Sequence, residues 1–88
     1  TMIPNEGKVL VDFYADWCGP CKAMSNVLDK FQAETTVQLV KVNVDQNREL
    51  AQQYGVRGIP CFVAVSDGVE LRRAVGMQTL QQLKDLTI

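Results

Sequence analysis

The chain has 88 residues, of which 47% are hydrophobic and 22% charged, as expected of one globular domain over residues 1–88 and unlike a disordered or collagen-like chain. Nine Lys and Arg residues against ten Asp and Glu residues give a net charge of −1, which argues against a dedicated nucleic-acid-binding protein because such proteins need excess positive charge. No apolar run approaches the roughly 20 residues that span a membrane, and Thr1–Gly7 has no signal-peptide pattern.

The first predicted element is a strand over Lys8–Tyr14. Nearly all of its residues are apolar, which is typical of a strand buried on both faces of a sheet, and Asp12 is the exception. The period then becomes that of a helix, with Met24 opening an apolar stripe. This pattern predicts one helix that starts at Pro20 and ends near Glu34.

A second strand is predicted over Val37–Val44, where apolar residues alternate. A short helix follows, and Gly55 is the expected residue after its end. The remaining chain predicts a hairpin and a final helix.

The hairpin comprises strands Phe62–Val65 and Val69–Val75, joined by an Asp-Gly turn at residues 67–68. Thr79 and Gln82 have the spacing of a capping box at the start of the last helix. The order β-α-β-α-β-β-α predicts an α/β fold with helices on both faces of a mixed central sheet. Its first strands are expected to be parallel, and its hairpin forms an antiparallel edge.

The chemistry-bearing side chains are restricted, because the sequence has three cysteines and no histidine. Hydrolases with Ser-His-Asp or Cys-His sites are thereby excluded, as are histidine-dependent metal sites. An odd number of cysteines does not suit a framework of structural disulfides. Thiols, carboxylates and lysines remain, and Cys18 and Cys21 at C-x-x-C spacing are the leading candidates.

Cys18 lies just before the predicted helix and Cys21 one turn inside it. A helix N-terminus favours the thiolate that attacks disulfides. Because Cys18 lies just ahead of the helix, we expect it to face solvent. Cys21 should point toward the protein and reach across to Cys18. Between them Gly19 allows a tight turn and Pro20 fixes φ.

A purely structural disulfide and a zinc site are both disfavoured for this pair of cysteines. A disulfide that only staples the helix start would stabilise little, because its loop is so short. A zinc site needs four ligands, and Cys61 is the single further thiol. We therefore expect no metal site.

The segment Trp17–Lys22, after a buried strand and at a helix start, resembles the active site of the thioredoxin family. The resemblance extends from about Lys8 to the end of the chain. Its other matching segments, in the family's order, are Val11–Phe13, Lys41–Asp45, Gly58–Pro60 and Val75–Gly76. It implies a thioredoxin fold truncated at the N-terminus, because Thr1–Gly7 has no counterpart of the family's leading strand and helix. Val37–Val44 would then be an exposed edge.

The resemblance implies a protein disulfide reductase that works by dithiol–disulfide exchange, with Cys18 as nucleophile and Cys21 as resolving thiol. Asp12 matches an aspartate behind the dithiol that helps to deprotonate the resolving cysteine, here through water, and Lys41 matches the lysine beside it. A carboxyl group in an apolar strand has a raised pKa, which suits a proton acceptor. The alternative is that Asp12 lies at a strand end, where it caps the chain or faces water.

Pro60 matches a cis-proline that faces the dithiol in this family, where it would expose the Ile59 backbone to an extended substrate segment. Trp17 is either a core residue or part of the contact surface. We use the name docking surface for the implied substrate-binding residues Trp17, Gly19, Pro20, Gly58, Ile59, Pro60, Gly76 and Met77.

Cys61 departs from the family, which usually has threonine at this position. The default interpretation is a small buried hydrophobic residue. Because Cys61 follows Pro60, three alternatives stay open. It could form a disulfide with Cys18 or Cys21, become glutathionylated, or ligate a metal or iron–sulfur centre shared between two subunits.

The resemblance also implies no bound cofactor, disulfide-containing protein substrates, and recharging by a partner reductase such as an NADPH-dependent flavoprotein. A cytoplasmic monomer without nucleic-acid or membrane partners is expected. The alternatives are a glutaredoxin-like protein, an oxidase or isomerase, and a binding subunit whose thiols are incidental. The Gly-Pro pair between the cysteines favours the reductase, since glutaredoxins usually have Pro-Tyr there.

Overall fold

A computed structural model describes residues 2–88. Thr1, which belongs to the segment Thr1–Gly7 discussed above, lies outside the described residues. The described strands form one sheet in the order β2-β1-β3-β4. They are β1 Lys8–Tyr14, β2 Gln38–Asn43, β3 Cys61–Ser66 and β4 Val69–Val75. β1 is parallel to β2, and β3 is antiparallel to both β1 and β4, as predicted.

The helices follow the predicted order with one difference. They are α1 Gly19–Ala23, α2 Ser25–Glu34, α3 Arg48–Gln53 and α4 Leu80–Leu86. The prediction of a single helix from Pro20 to Glu34 is therefore wrong, because the helix is interrupted at Met24, between α1 and α2. The Met24 N–H bonds to the Cys21 carbonyl oxygen, three residues back, at 3.2 Å, and its side chain is buried in the core.

The sheet separates two apolar clusters, because successive side chains of a strand point to opposite faces. The first cluster packs beneath α3 and contains Val9, Val11, Phe13, Val42, Ala51, Cys61, Val63 and Val65. The second lies under α2 and α4 and contains Leu10, Met24, Leu28, Phe31, Phe62, Ala64 and Leu83. Helices therefore cover both faces of the sheet, as predicted.

Local geometry confirms the predicted turn and caps. Asp67 and Gly68 have φ of 48° and 82°, the positive values that a two-residue hairpin turn requires. At the start of α4 the Thr79 hydroxyl accepts from the Gln82 N–H at 3.1 Å, and the Gln82 side chain accepts from the Thr79 N–H at 2.8 Å. Gly55 follows α3 with a φ of 64°.

The register brings the loops that carry the predicted site to one end of the sheet. Tyr14 at the end of β1 pairs with Asn43 at the end of β2. Cys61 at the start of β3 lies opposite both Phe13 and Val75, the last residue of β4. β2 forms one edge of the sheet, as predicted, and β4 forms the other. Within residues 2–88, no helix has the length and apolarity needed to cross a membrane.

Candidate active site

Cys18 and Cys21 are joined in a disulfide, with their Cα atoms 5.2 Å apart. Cys18 is the N-cap of α1, and its Sγ accepts a hydrogen bond from the Cys21 N–H at a donor–acceptor distance of 3.1 Å. Pro20 lies in the first turn, where its missing N–H leaves no hydrogen bond unmade. The pair thus has the proximity that the spacing predicted, and the structure represents its oxidised form.

The relative exposure of the two cysteines differs from the prediction. Cys18 is 4% exposed, whereas Cys21 is half-buried. The Cys18 side chain turns back over the first turn of α1, toward the Cys21 N–H, and the disulfide holds it there. The expectation that Cys18 faces solvent is therefore wrong for this oxidised form, whereas Cys21 is half-buried and lines the cavity that Asp12 also lines.

Asp12 is buried in the middle of β1, with 2% exposure. Its Oδ1 has no hydrogen-bond partner among the described residues. Burial raises the pKa of this carboxyl from 3.8 to about 6, against a smaller lowering by the positive charge of Lys41. The predicted desolvated carboxyl is confirmed, and the alternative of a strand-end residue facing water is wrong.

A cavity of about 420 Å³ connects Asp12 with the dithiol. Cys21 lines this cavity and Cys18 does not. The volume accommodates several water molecules, so a proton can pass between the Cys21 sulfur and the Asp12 carboxyl without direct contact. The complete lining is Asp12, Tyr14, Ala15, Asp16, Cys21, Lys22, Ser25 and Lys41.

Lys41 lies directly opposite Asp12 in the pairing of β1 with β2. Its ammonium attracts the carboxyl electrostatically, but within residues 2–88 the two form no ion pair. The Lys41 Nζ instead lies 4.9 Å from the centroid of the Tyr14 ring. Tyr14 was not identified from the sequence, because its role depends on a contact between strands.

The loop before β3 stands next to the dithiol end of the sheet, and its Ile59–Pro60 bond is cis, as predicted. The Gly76 N–H donates to the Pro60 carbonyl oxygen at 2.8 Å, which ties the end of β4 to this loop. Trp17 and Ile59 line one cavity of about 200 Å³ together with Gly58. The structure thus brings these members of the docking surface together, and Gly19 and Pro20 are exposed beside them in α1.

Exposed apolar side chains surround this loop. Trp17 is 70% exposed, so its interpretation as a core residue is wrong. Its indole N–H donates to the Asp45 Oδ2 at 2.8 Å, which fixes the direction of the ring. Met77 is 58% exposed and Val75 59%. Val75 Cγ1 lies 3.1 Å from the position that a β-carbon would occupy on Gly58.

Besides Tyr14, sequence reasoning missed Asp45 and Val75. Both lie in segments that match the family, Lys41–Asp45 and Val75–Gly76, but neither was assigned a part in the site. Their neighbours in the structure are distant in sequence: Trp17 precedes Asp45 by 28 residues. Spacing along the chain carries no information about such contacts.

Cys61 is a free thiol with 1% exposure. It belongs to the apolar cluster beneath α3, and burial raises the pKa of its thiol. The interpretation as a small buried hydrophobic residue is confirmed, and here Cys18 and Cys21 are bonded to each other rather than to Cys61. Across the described chain, no group of three or more His, Cys, Asp or Glu side chains is arranged to hold a metal ion.

Comparison with known proteins gives consistent matches. The profile of the thioredoxin family matches residues 1–87. Thioredoxin of Chlamydia caviae is 45% identical over 78 residues, which cover 88% of this chain and 76% of the relative. Thioredoxin of Bacillus subtilis is 40% identical over 84 residues, covering 93% of this chain and 81% of the relative.

Solved structures agree with the sequence matches. A point mutant of thioredoxin from Halobacterium salinarum superposes with a TM-score of 0.87 at 44% identity, covering 93% of this chain and 73% of its own. Thioredoxin of Fasciola hepatica gives a TM-score of 0.84 at 38% identity, covering 92% of this chain and 79% of its own.

Proposed function

The chain belongs to the thioredoxin family and is a thiol–disulfide oxidoreductase with the thioredoxin fold, and we propose that it works as a protein disulfide reductase in which Cys18 is the nucleophile and Cys21 the resolving thiol. The observation that carries these roles is the difference between the two sulfurs. The Cys18 sulfur accepts a hydrogen bond from the Cys21 N–H in the first turn of α1, whereas the Cys21 side chain lines the cavity that contains Asp12.

The first step uses the Cys18 thiolate of the reduced protein. A backbone N–H that donates to a sulfur stabilises its charged form, and the Cys21 N–H is placed to do so. The thiolate attacks one sulfur of a substrate disulfide. A Cys18–substrate bond forms, the substrate S–S bond breaks, and the second substrate sulfur leaves with the electron pair and takes a proton from water.

The second step uses the Cys21 thiol. Its proton passes through the cavity to the Asp12 carboxylate, whose pKa of about 6 leaves it mostly ionised at neutral pH and a better base than an ordinary carboxylate. The Cys21 sulfur attacks the Cys18 Sγ, the bond between Cys18 and the substrate breaks, and the substrate sulfur that Cys18 had held leaves with the electron pair and takes a proton from water. Two electrons have then passed from the dithiol to the substrate, and the Cys18–Cys21 bond of this structure remains.

The docking surface suits an extended, partly apolar protein segment as substrate. Ile59 is half-buried and lines one cavity with Trp17, and both Trp17 and Met77 are exposed. An extended substrate segment would pair with the Ile59 backbone by strand addition. Because the electrons travel between sulfurs, the reaction uses no resident cofactor. We propose that a partner reductase, such as an NADPH-dependent flavoprotein, returns electrons to the dithiol, and that the protein acts as a cytoplasmic monomer.

The test is reduction of insulin disulfides coupled to NADPH oxidation through a thioredoxin reductase. The unmodified protein should support turnover. Cys21→Ser should accumulate a covalent adduct with substrate through Cys18, whereas Cys18→Ser should form none. Cys61→Ala serves as the control and should keep turnover.

Failure of the unmodified protein to consume NADPH would contradict the proposed reductase, and adduct formation only in Cys18→Ser would reverse the two roles. A reduction potential well above that of the cytosol would indicate an oxidase or isomerase instead. A binding subunit would keep its biological activity when Cys18 and Cys21 are both replaced by serine.

A further inference from the structure

Lys41 lies within reach of two attractive partners and contacts one of them. It is paired directly opposite Asp12 across β1 and β2, and Tyr14 lies two residues farther along β1 on the same face. The Lys41 ammonium is 4.9 Å from the centroid of the Tyr14 ring. Among the described residues, Oδ1 of Asp12 has no hydrogen-bond partner and Lys41 forms no ion pair.

The physical chemistry of the two partners differs. A direct ion pair with Asp12 would require the ammonium to leave water and enter a buried site, where desolvation opposes the attraction. Over the face of an aromatic ring an ammonium gains a cation–π attraction while it stays hydrated. Lys41 is exposed and Tyr14 half-buried, so the ring offers the ammonium a place at the mouth of the cavity.

We propose that Tyr14 is a positioning residue, whose ring holds the Lys41 ammonium at the mouth of the cavity and away from Asp12. The inference rests on the proposed role of Asp12 as acceptor of the Cys21 proton. An ion pair with Lys41 would make the carboxylate a weaker base and fill the water path from Cys21. The ring keeps the positive charge close enough to act electrostatically without either effect.

The other charged or titratable groups around Asp12 come from every neighbouring element. Asp16 follows β1, Lys22 and Cys21 lie on α1, and Cys61 of β3 acts from the opposite face of the sheet. Substitution of Tyr14 or Lys41 leaves all four groups in place.

The experiment follows the Asp12 carboxyl directly, by its ¹³C chemical shift against pH in the oxidised protein. Tyr14→Phe keeps the ring and should leave the titration midpoint unchanged. Tyr14→Leu removes the ring, lets the ammonium reach the carboxylate, and should lower the midpoint by about 0.5–1 pH unit. An unchanged or raised midpoint in Tyr14→Leu would overturn the proposal.

Lys41→Met shows whether a shift of the Asp12 midpoint in Tyr14→Leu comes from the Lys41 ammonium or from water that enters the cavity. In the Lys41→Met background, Tyr14→Leu should no longer move the midpoint, because the mobile charge is absent. A shift that persists there would assign the effect to solvation and overturn the proposal.

If Tyr14→Leu does not fold, the unmodified protein provides a second test, since the ring current of Tyr14 should shift the proton resonances of a Lys41 side chain that lies over the ring. The ε-methylene protons of Lys41 should resonate upfield of those of Lys30, an exposed lysine of α2, and equal shifts would overturn the proposal. All these measurements use oxidised protein without turnover. A failed reductase assay therefore leaves them interpretable, and they can fail while the reductase assay succeeds.

Discussion

At the scale of single residues, burial determines the chemistry of two groups that lie on opposite faces of the sheet. Asp12 faces the cavity beside Cys21 and has a raised pKa because it is desolvated. Cys61 faces the apolar cluster beneath α3, where burial also raises the pKa of its thiol. The first group can exchange a proton with the dithiol through the cavity, and the second is packed as a hydrophobic residue.

Asp12→Asn should stabilise the protein at neutral pH. A carboxyl whose pKa rises from 3.8 to about 6 on folding binds its proton more tightly in the folded state, so stability falls as pH rises through this window and stays low above it. Between pH 4 and pH 7.5 the gain of Asp12→Asn over the unmodified protein should grow by about 2 kcal/mol.

Urea unfolding at the two pH values measures this gain. Asp29→Asn, at an exposed carboxyl of α2, is the matched control and should show no such change. Parallel pH dependences of Asp12→Asn and the unmodified protein would contradict a raised pKa in the folded state.

Cys61→Ser should be less stable than Cys61→Ala. Serine places a hydroxyl group in an apolar cluster, and an unpartnered buried hydroxyl costs about 1–2 kcal/mol. The free energy of unfolding in urea measures the difference, and insulin reduction should be retained in both variants. Equal stability would show that the hydroxyl finds a partner or reaches water.

At the scale of elements, the parts predictable from sequence are those that local chemistry decides. The Asp-Gly turn at residues 67–68 and the capping box at Thr79 follow from backbone preferences and side-chain reach, and both are observed. The break at Met24 was not predicted, because neither Gly nor Pro occurs there. Met24 is buried in the cluster under α2 and α4, and no local sequence signal marks it as a helix boundary.

Thr79→Ala should destabilise the protein by about 1 kcal/mol, because it removes the side-chain oxygen that accepts from the N–H at the third position of α4. Thr79→Ser keeps that oxygen and is the matched control. Thermal and urea unfolding should rank the unmodified protein and Thr79→Ser together above Thr79→Ala. Equal stability of the alanine and serine variants would mean that the cap contributes nothing.

At the scale of the whole molecule, the site forms because the ends of all four strands meet. The dithiol, the buried carboxyl and the cis-proline loop were predictable, since each is carried by a short continuous motif. The contacts of Trp17 with Asp45 and of Gly58 with Val75 were not, because they join distant segments. Val75 therefore borders the docking surface as a consequence of folding.

Val75→Thr should weaken the use of protein substrates. The substitution keeps a β-branched side chain but replaces an exposed methyl group beside the docking surface. About 1 kcal/mol of lost apolar contact corresponds to a KM for insulin raised roughly 5-fold. Reduction of a small aromatic disulfide, which needs little surface, should be unaffected.

Val69→Thr is the matched control for this substitution. Val69 lies at the other end of β4 with a similar exposure of 64%, and its replacement should leave both substrates unaffected. An equal rise in KM for the two variants, or no rise for Val75→Thr, would place Val75 outside the substrate contact.

Because Cys61 is buried, its reaction with a thiol reagent measures how often the oxidised protein opens locally. With Cys18 and Cys21 joined in the disulfide, Cys61 is the one cysteine of the sequence left as a free thiol, and it is 1% exposed beneath α3. An alkylating reagent can label it only during excursions that separate helix and sheet, so the labelling rate, divided by that of a free thiol, reports the population of opened molecules. Mass spectrometry would measure this labelling rate without an engineered cysteine.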